Sequence, residues 1–319
     1  MNRDPLYPTQ SLIEAAHDRI RPYIHHTPIL TCQTINALAG AEVYFKCENF
    51  QKVGAFKARG GVNAVLSLTP AEQTQGIATH SSGNHAQAIA YAASVVGAKA
   101  YIVMPDNSPE VKVKAVRAYG AEVTFCINTP EEREKTLQEV VARTGAIFVH
   151  PFNDYAVIAG QATAAKELIH DAAVQFDTIL APVGGGGLLS GTALATNYFS
   201  PYTKVIAGEP EGAADAILSF KSGTVEKAPY VKTIADGLLT YLGDKTLPII
   251  LEQVVDILTV SDADIVAAMR IIWERMKIVI EPSSAVPFAA LLKTKDRFEG
   301  QTIGIILTGG NVDLGKLPF

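Results

Sequence analysis

The sequence predicts an α/β protein with open, mostly parallel sheets, helices on both faces and two domains. Three observations predict it. Short apolar stretches suited to strands alternate with helical stretches along most of the chain, the pattern of parallel strands joined by right-handed crossovers. Helix starts are signalled by Thr69-Pro70-Ala71-Glu72, Thr129-Pro130-Glu131-Glu132 and Ser261-Asp262-Ala263-Asp264, where a hydroxyl can cap the first turn and an acid can reach back. Glycine- or serine-rich segments also stand where strands run into helices, the positions at which open α/β sheets bind ligands.

In chain order, Ser11 to Tyr23 has helical periodicity, with Leu12, Ala15, Ala16, Arg19, Ile20 and Tyr23 near one face. Thr27-Pro28-Ile29-Leu30 is extended, because the residue before a proline avoids the helical region. Glu42 to Cys47 alternates and reads as a strand, and Ala58 to Leu66 reads as a helix. Strands are predicted at Ile77–His80, Ala100–Pro105, Ala121–Cys126 and Ala146–His150. The helices between them run to about Val96, open at Ser108-Pro109-Glu110, and extend through Arg143. Tyr155–His170 is helical, Thr178–Val183 is an apolar strand, and a helix follows Gly187. A strand at Lys204–Ala207 leads into Gly208-Glu209-Pro210. The last predicted elements are a helix to about Lys277, a helix over Ser283–Lys293 and a strand over Thr302–Thr308. Residues 53–154 hold a complete alternating set, so they are expected to form a smaller domain inserted in a larger one made of 1–52 and 155–319. The site is expected in the cleft between them.

Composition narrows the function. A net charge of −5 without a basic cluster argues against nucleic-acid binding. Apolar runs are short and broken by Gly or Pro, so no segment reads as membrane-spanning, and Met1 to Pro5 lacks an apolar signal core. Cys32, Cys47 and Cys126 show no Cys-x-x-Cys spacing, which suits free thiols in a reducing cytoplasm.

Four motifs carry chemistry. Lys57 follows Phe56 after a glycine-containing turn and precedes a helix. Poor solvation there lowers the ammonium pKa and frees an amine able to form a Schiff base with an aldehyde; alone, a lysine in this setting reads as a solvated side chain near a helix N-terminus. Gly184-Gly185-Gly186-Gly187 lies between a strand and a helix. Without Cβ atoms its backbone N–H groups can turn inward and wrap a phosphate at the helix N-terminus. It is neither G-x-G-x-x-G nor a P-loop. Ser81-Ser82-Gly83-Asn84-His85 offers N–H groups and hydroxyls to a carboxylate, or a plain Ser cap. Thr308-Gly309-Gly310-Asn311 ends the last strand, where the Thr308 hydroxyl could bond a pyridine nitrogen; alone it reads as a turn.

In this order and at these separations, the four motifs resemble the fold type II pyridoxal-5′-phosphate enzymes, with the tryptophan synthase β-like fold. They lie near the branch holding serine racemase and the serine, threonine and hydroxyaspartate dehydratases. The resemblance implies that Lys57 holds the cofactor and acts as base on one face of the substrate. Phe56 and Gly237 would flank the ring, Asn84 would bond its hydroxyl, Gly184 to Gly187 would bind its phosphate, and Thr308 would face its nitrogen. A neutral hydroxyl at that nitrogen makes the ring a moderate electron sink, which favours loss of a β-hydroxyl. Ser81, Ser82, Asn84, His85 and Arg133 would contact the substrate, with Ser82 as the opposite-face acid/base of a racemase. Arg133 shares a helix face with Leu137, Val140 and Val141 and would either point into the cleft mouth, where a bidentate carboxylate contact is available, or stay exposed and pair with Glu131 or Glu134.

Glu209 and Asp215 alone would suit a helix N-terminus. With the Ala213 carbonyl, the resemblance makes them a Mg²⁺, Ca²⁺ or Mn²⁺ site. Lys52, Arg275, Lys277 and Asn311 match parts of a nucleotide-effector site, implying ATP as an effector, and a homodimer is the family expectation. The implied activity is racemisation of serine with β-elimination on 3-hydroxy amino acids. The rival is an L-threo-3-hydroxyaspartate or threonine dehydratase with little racemase activity. A catalytically silent phosphate-binding protein is the alternative of another class, and the presence of Lys57 speaks against it.

Overall fold

The computed structural model describes residues 7–319; the Met1–Pro5 segment, read above as lacking a signal core, lies outside them. Ten strands form two sheets. They are β1 (Ile29–Thr31), β2 (Glu42–Cys47), β3 (Ile77–His80), β4 (Ala100–Pro105), β5 (Glu122–Cys126), β6 (Ile147–Phe148), β7 (Thr178–Pro182), β8 (Lys204–Pro210), β9 (Asp256–Val260) and β10 (Thr302–Leu307). A six-stranded sheet has the order β1-β2-β10-β7-β8-β9, and a four-stranded sheet has the order β5-β4-β3-β6. All pairings are parallel except β1 with β2, which matches the expected mostly parallel architecture.

Strand periodicity of two separates the cores. Leu180, Ile206 and Ile305 face a core built with helices Asp262–Met276 and Pro282–Lys293. Their neighbours Ala181 and Ala207 face a second core with helix Gly187–Phe199, and Ile306 faces a third with helix Tyr155–Asp171. The four-stranded sheet is covered in the same way. Ile77, Ile102 and Met104 pack on helices Lys57–Leu66 and Asn84–Val95. Ala78 and Val103 pack on helix Pro130–Thr144.

Several boundaries differ from expectation. The first helix is Gln10–Ile20, capped by Thr9 rather than starting at Ser11. β8 continues through Glu209 to Pro210 instead of ending at Ala207, because its last residues still pair with β9. Thr69–Glu72 and Ser261–Asp264 are complete capping boxes. At Thr129 only the hydroxyl bond from Glu132 N–H is present, so that motif is a simple cap.

Candidate active site

Every predicted motif lies at the C-terminal end of a parallel strand. Lys57 follows β2, Ser81–His85 follows β3, the glycine loop follows β7, and Thr308 follows β10. These ends are where parallel sheets leave room for a ligand.

The lysine segment is stitched to the end of β10. Phe56 N–H donates to Thr308 O at 2.9 Å, and Gly310 N–H donates to Gly54 O at 3.0 Å. Val53 takes a φ of 56°, a strained value for a β-branched residue. The Asn311 amide holds that turn by donating to Val53 O at 2.8 Å. Lys57 is half-buried; its Nζ donates to Pro151 O at 2.9 Å and lies 5.1 Å from the centroid of the Phe56 ring. Burial pushes its pKa down to about 8, against the opposing pull of Glu281. Its amine is therefore partly free near neutrality, as a Schiff-base lysine requires.

Two residues beyond Lys57, the wholly buried Arg59 fixes the helix start. Its guanidinium forks onto Glu48 at 2.7 and 2.8 Å, and onto Glu167 at 2.8 and 2.7 Å. Lys46 adds a 2.7 Å bond to Glu167. Burial alone would raise the Glu167 pKa, but bonds from His17 and Arg59 hold it well below the usual carboxylate range. His26 and Asp171 bring ligand atoms close to Glu167 as a cation site would, yet Arg59 and Lys46 already fill its oxygens. The group is an ion-pair cluster tying helix Lys57–Leu66 to the six-stranded sheet.

The glycine loop is built by close approach. A Cβ on Gly185 would fall 2.3 Å from the Phe152 ring, and one on Gly184 would fall 2.9 Å from Leu238 Cα. Gly186 takes a φ of 86° and leads into helix Gly187–Phe199. Among the described residues no protein acceptor takes the N–H groups of Gly184, Gly185 and Gly186. That is a cradle for an anion at a helix N-terminus. Thr308 is buried, its Oγ1 2.9 Å from Ser284 Oγ. Ser284 in turn bonds Gly309 O at 2.8 Å. Gly237 N–H donates to Ser283 Oγ at 3.0 Å.

Ser81 and Ser82 are half-buried at the mouth of helix Asn84–Val95. Ser81 Oγ accepts from Gly83 N–H at 3.2 Å. The Asn84 amide donates to Glu281 Oε1 at 2.8 Å, and its oxygen accepts from Asn311 Nδ2 at 2.8 Å. Glu281 is the residue that sequence reasoning missed. It is buried, and burial and Asp236 push its pKa up to about 7. Its only local signal is a position just before Pro282, the first residue of a helix. His85 is buried, with Nε2 3.4 Å from Val149 O and Nδ1 without a partner. Burial and Lys57 hold its pKa well below the usual value, so it is neutral.

The amphipathic helix of Arg133 packs Leu137 and Val140 inward as expected. Arg133 Nη2 donates to Asn128 Oδ1 at 2.6 Å, while its buried Nε has no partner. Glu209 and Asp215 are buried near Ala213. Glu209 accepts from Ala216 N–H at 2.6 Å and Ile217 N–H at 3.0 Å, and Asp215 Oδ2 has no partner. Burial pushes their pKa values up to about 8 and about 6. Of the four effector residues, Asn311 is committed to the lysine turn. Arg275 and Lys277 stand at the end of helix Asp262–Met276, and Lys52 lies in the turn before Val53. None of the described helices is long and apolar enough to cross a membrane.

Known proteins resemble this chain over nearly its whole length. Residues 20–309 match the family model described as pyridoxal-phosphate dependent enzyme. A β-hydroxyaspartate dehydratase of Paracoccus denitrificans is 50% identical over 312 residues, which cover 98% of this chain and 99% of that protein. A serine racemase of Dictyostelium discoideum is 49% identical, over 96% of this chain and 95% of the relative. The crystal structure of the Dictyostelium enzyme superposes with a TM-score of 0.91 at 49% identity, covering 96% of this chain and 99% of that one.

Proposed function

The chain belongs to the family of pyridoxal-phosphate dependent enzymes, and on that premise we propose that it is a serine racemase that also β-eliminates 3-hydroxy amino acids. The products would be the opposite enantiomer, or a 2-oxo acid and ammonia. The observation that carries the proposal is that three motifs meet one segment: Lys57 Nζ bonds Pro151 O, the Phe152 side chain packs on Gly185 and Gly187 of the glycine cradle, and His85, beside the Ser81–Ser82 junction, reaches Val149 O.

The residues fit the cofactor. Gly184 to Gly187 would hold its phosphate in the cradle that a Cβ would fill, and Thr308 would give its ring nitrogen a neutral hydroxyl. Phe56 and Gly237 would flank the ring, and Asn84 would meet the ring hydroxyl. When bound, pyridoxal phosphate supplies an electron sink that acidifies the substrate α-hydrogen. Lys57 Nζ takes that proton on one face. Ser82 Oγ returns one on the other face when the product is the opposite enantiomer. Ser81, Asn84 and His85 would hold the α-carboxylate. Residues 53–154 act as the smaller domain in this reading, closing on the larger domain over the site.

A second reading is an L-threo-3-hydroxyaspartate or threonine dehydratase with little racemase activity. The buried, unpartnered Nε of Arg133 favours it, since a second substrate carboxylate would satisfy that donor. The deciding experiment incubates the purified enzyme with L-serine, D-serine, L-threonine and 3-hydroxyaspartate, and measures keto acid, ammonia and enantiomer ratio. A product ratio fixed at one enantiomer while ammonia accumulates removes the racemase. A protein without a visible cofactor band, or with one that survives Lys57→Ala, removes the enzyme altogether.

Glu209, Asp215 and the Ala213 carbonyl would bind a divalent cation with a structural or activating role. The orphaned Asp215 Oδ2 and two buried acids suit a hard cation. Saturating such a site at a hundredfold excess over Kd stabilises by about 2.7 kcal/mol. Chelation should therefore lower the melting temperature by several degrees, and Mg²⁺ or Ca²⁺ should restore it in the native protein but not in Asp215→Asn. The ATP reading rests on Lys52, Arg275 and Lys277, because Asn311 is taken up internally; unchanged kcat/KM on adding ATP removes it. A homodimer is expected to sediment at twice the chain mass of 34.0 kDa.

A further inference from the structure

Lys57 is anchored by the carbonyl of Pro151, and the residue before that proline has no role in the scheme above. His150 leaves the end of β6 with its ring half-buried. Its Nδ1 accepts two backbone N–H groups, from Asn153 at 3.0 Å and from Phe152 at 3.3 Å. A neutral imidazole that accepts at Nδ1 carries its proton on Nε2, so the hydrogen-bond network assigns the tautomer. Among the described residues no acceptor engages Nε2.

The ring has neighbours from two of the motifs. Phe152 lies edge-on at 4.6 Å, and the Phe152 ring packs into the space that a Cβ on Gly185 would need. His80, which precedes Ser81, lies at 6.3 Å. Burial, with His80 and Lys57 nearby, keeps His150 neutral, its pKa lowered to about 4. A cation here would further disfavour the ammonium form of Lys57; a neutral donor interacts with an anion without adding that charge.

We propose that His150 is a specificity-determining residue whose fixed Nε2–H donates to the second carboxylate of a 3-hydroxydicarboxylic amino acid, as a donor additional to the Arg133 Nε. The inference rests on the proposed reading of the site as a β-eliminating amino-acid enzyme and assigns His150 to the recognition of dicarboxylic substrates there. The competing role is purely structural, with Nδ1 merely closing the turn over Phe152 and Asn153.

The holoenzyme distinguishes the two. His150→Met removes the donor and His150→Gln keeps an amide N–H at similar reach. One hydrogen bond to a charged group amounts to about 10- to 100-fold. His150→Met should therefore lower kcat/KM for L-threo-3-hydroxyaspartate by that factor relative to L-serine, and His150→Gln should recover part of the ratio. A parallel fall on both substrates, or an unchanged ratio, overturns the proposal. Should neither substrate react in the wild type, the proposed function fails. The binding role is then still decided by ¹⁵N spectra of the wild-type ring, which should show the Nε2–H tautomer and shift with succinate but not with propionate. Absence of a succinate shift, or an Nδ1–H tautomer, overturns it.

Discussion

In the proposed function, Ser82 and Lys57 would be the two residues whose protonation decides the products, and each has its own test. Ser82 is half-buried and no protein hydrogen bond to its Oγ is seen among the described residues, so its hydroxyl is free to face a substrate. Removing an acid/base group costs about 10²-fold or more in the step it serves. Ser82→Ala should thus lose racemisation by at least that factor while β-elimination from the L-substrate largely persists. Equal loss of both rates, measured by coupled keto-acid and enantiomer assays, would refute the two-face assignment. For Lys57, burial lowers the pKa to about 8 from its ordinary 10.5. Cofactor uptake by the cofactor-free protein should rise with pH through about 8 and then level off, as stopped-flow absorbance can record. The sign also applies to stability. The unfolded chain keeps this proton up to about 10.5 and the folded chain releases it at about 8, so stability rises with pH across that window. Lys57→Met should stabilise the cofactor-free protein near neutral pH, and the gain should shrink in that window.

At the scale of elements, the sites were legible where chemistry and local geometry coincide. The tetraglycine loop is such a case. Four residues without side chains mark four close contacts, with Phe152, Leu238 and the Leu242–Thr246 segment among the neighbours. Gly185→Ala should therefore weaken cofactor binding by more than tenfold, because its Cβ meets the body of the Phe152 ring and not a flexible tip. Equilibrium dialysis of pyridoxal phosphate reads that loss, and an unchanged affinity would mean that the loop is only a turn. Other elements gave no readable signal. Helix Gln33–Ala39 has seven residues, too few for a period of 3.6 to declare itself. Helix Thr246–Gln253 carries Pro248 in its first turn, which reads as a break although that position needs no donor. β9 is an edge strand with a burial pattern lacking clean alternation. Glu281 was unreadable for a different reason. Its main partner Asn84 is 197 positions away, and no local pattern encodes a contact made by folding.

At the scale of the whole molecule, one exposed ion pair links elements that accompany the two sheets. Lys112, on the Glu110–Ala118 helix beside the four-stranded sheet, pairs with Asp236 at 2.5 Å. Asp236 directly precedes Gly237 and lies on the side of the six-stranded sheet, where Gly237 is bonded to Ser283. Asp236 is half-exposed, so the pair is screened and contributes little to global stability. On the proposal that residues 53–154 form a smaller domain and that Gly237 flanks the cofactor ring, its effect should instead fall on how that domain closes against the Gly237 loop. Lys112→Met is expected to leave the melting temperature nearly unchanged and to raise KM several-fold with kcat little altered. High salt should produce a similar KM rise in the native enzyme and add little in the variant. If KM is insensitive to both the substitution and salt, the pair is incidental to closure. If the melting temperature falls by many degrees, the contact serves the fold more than the site.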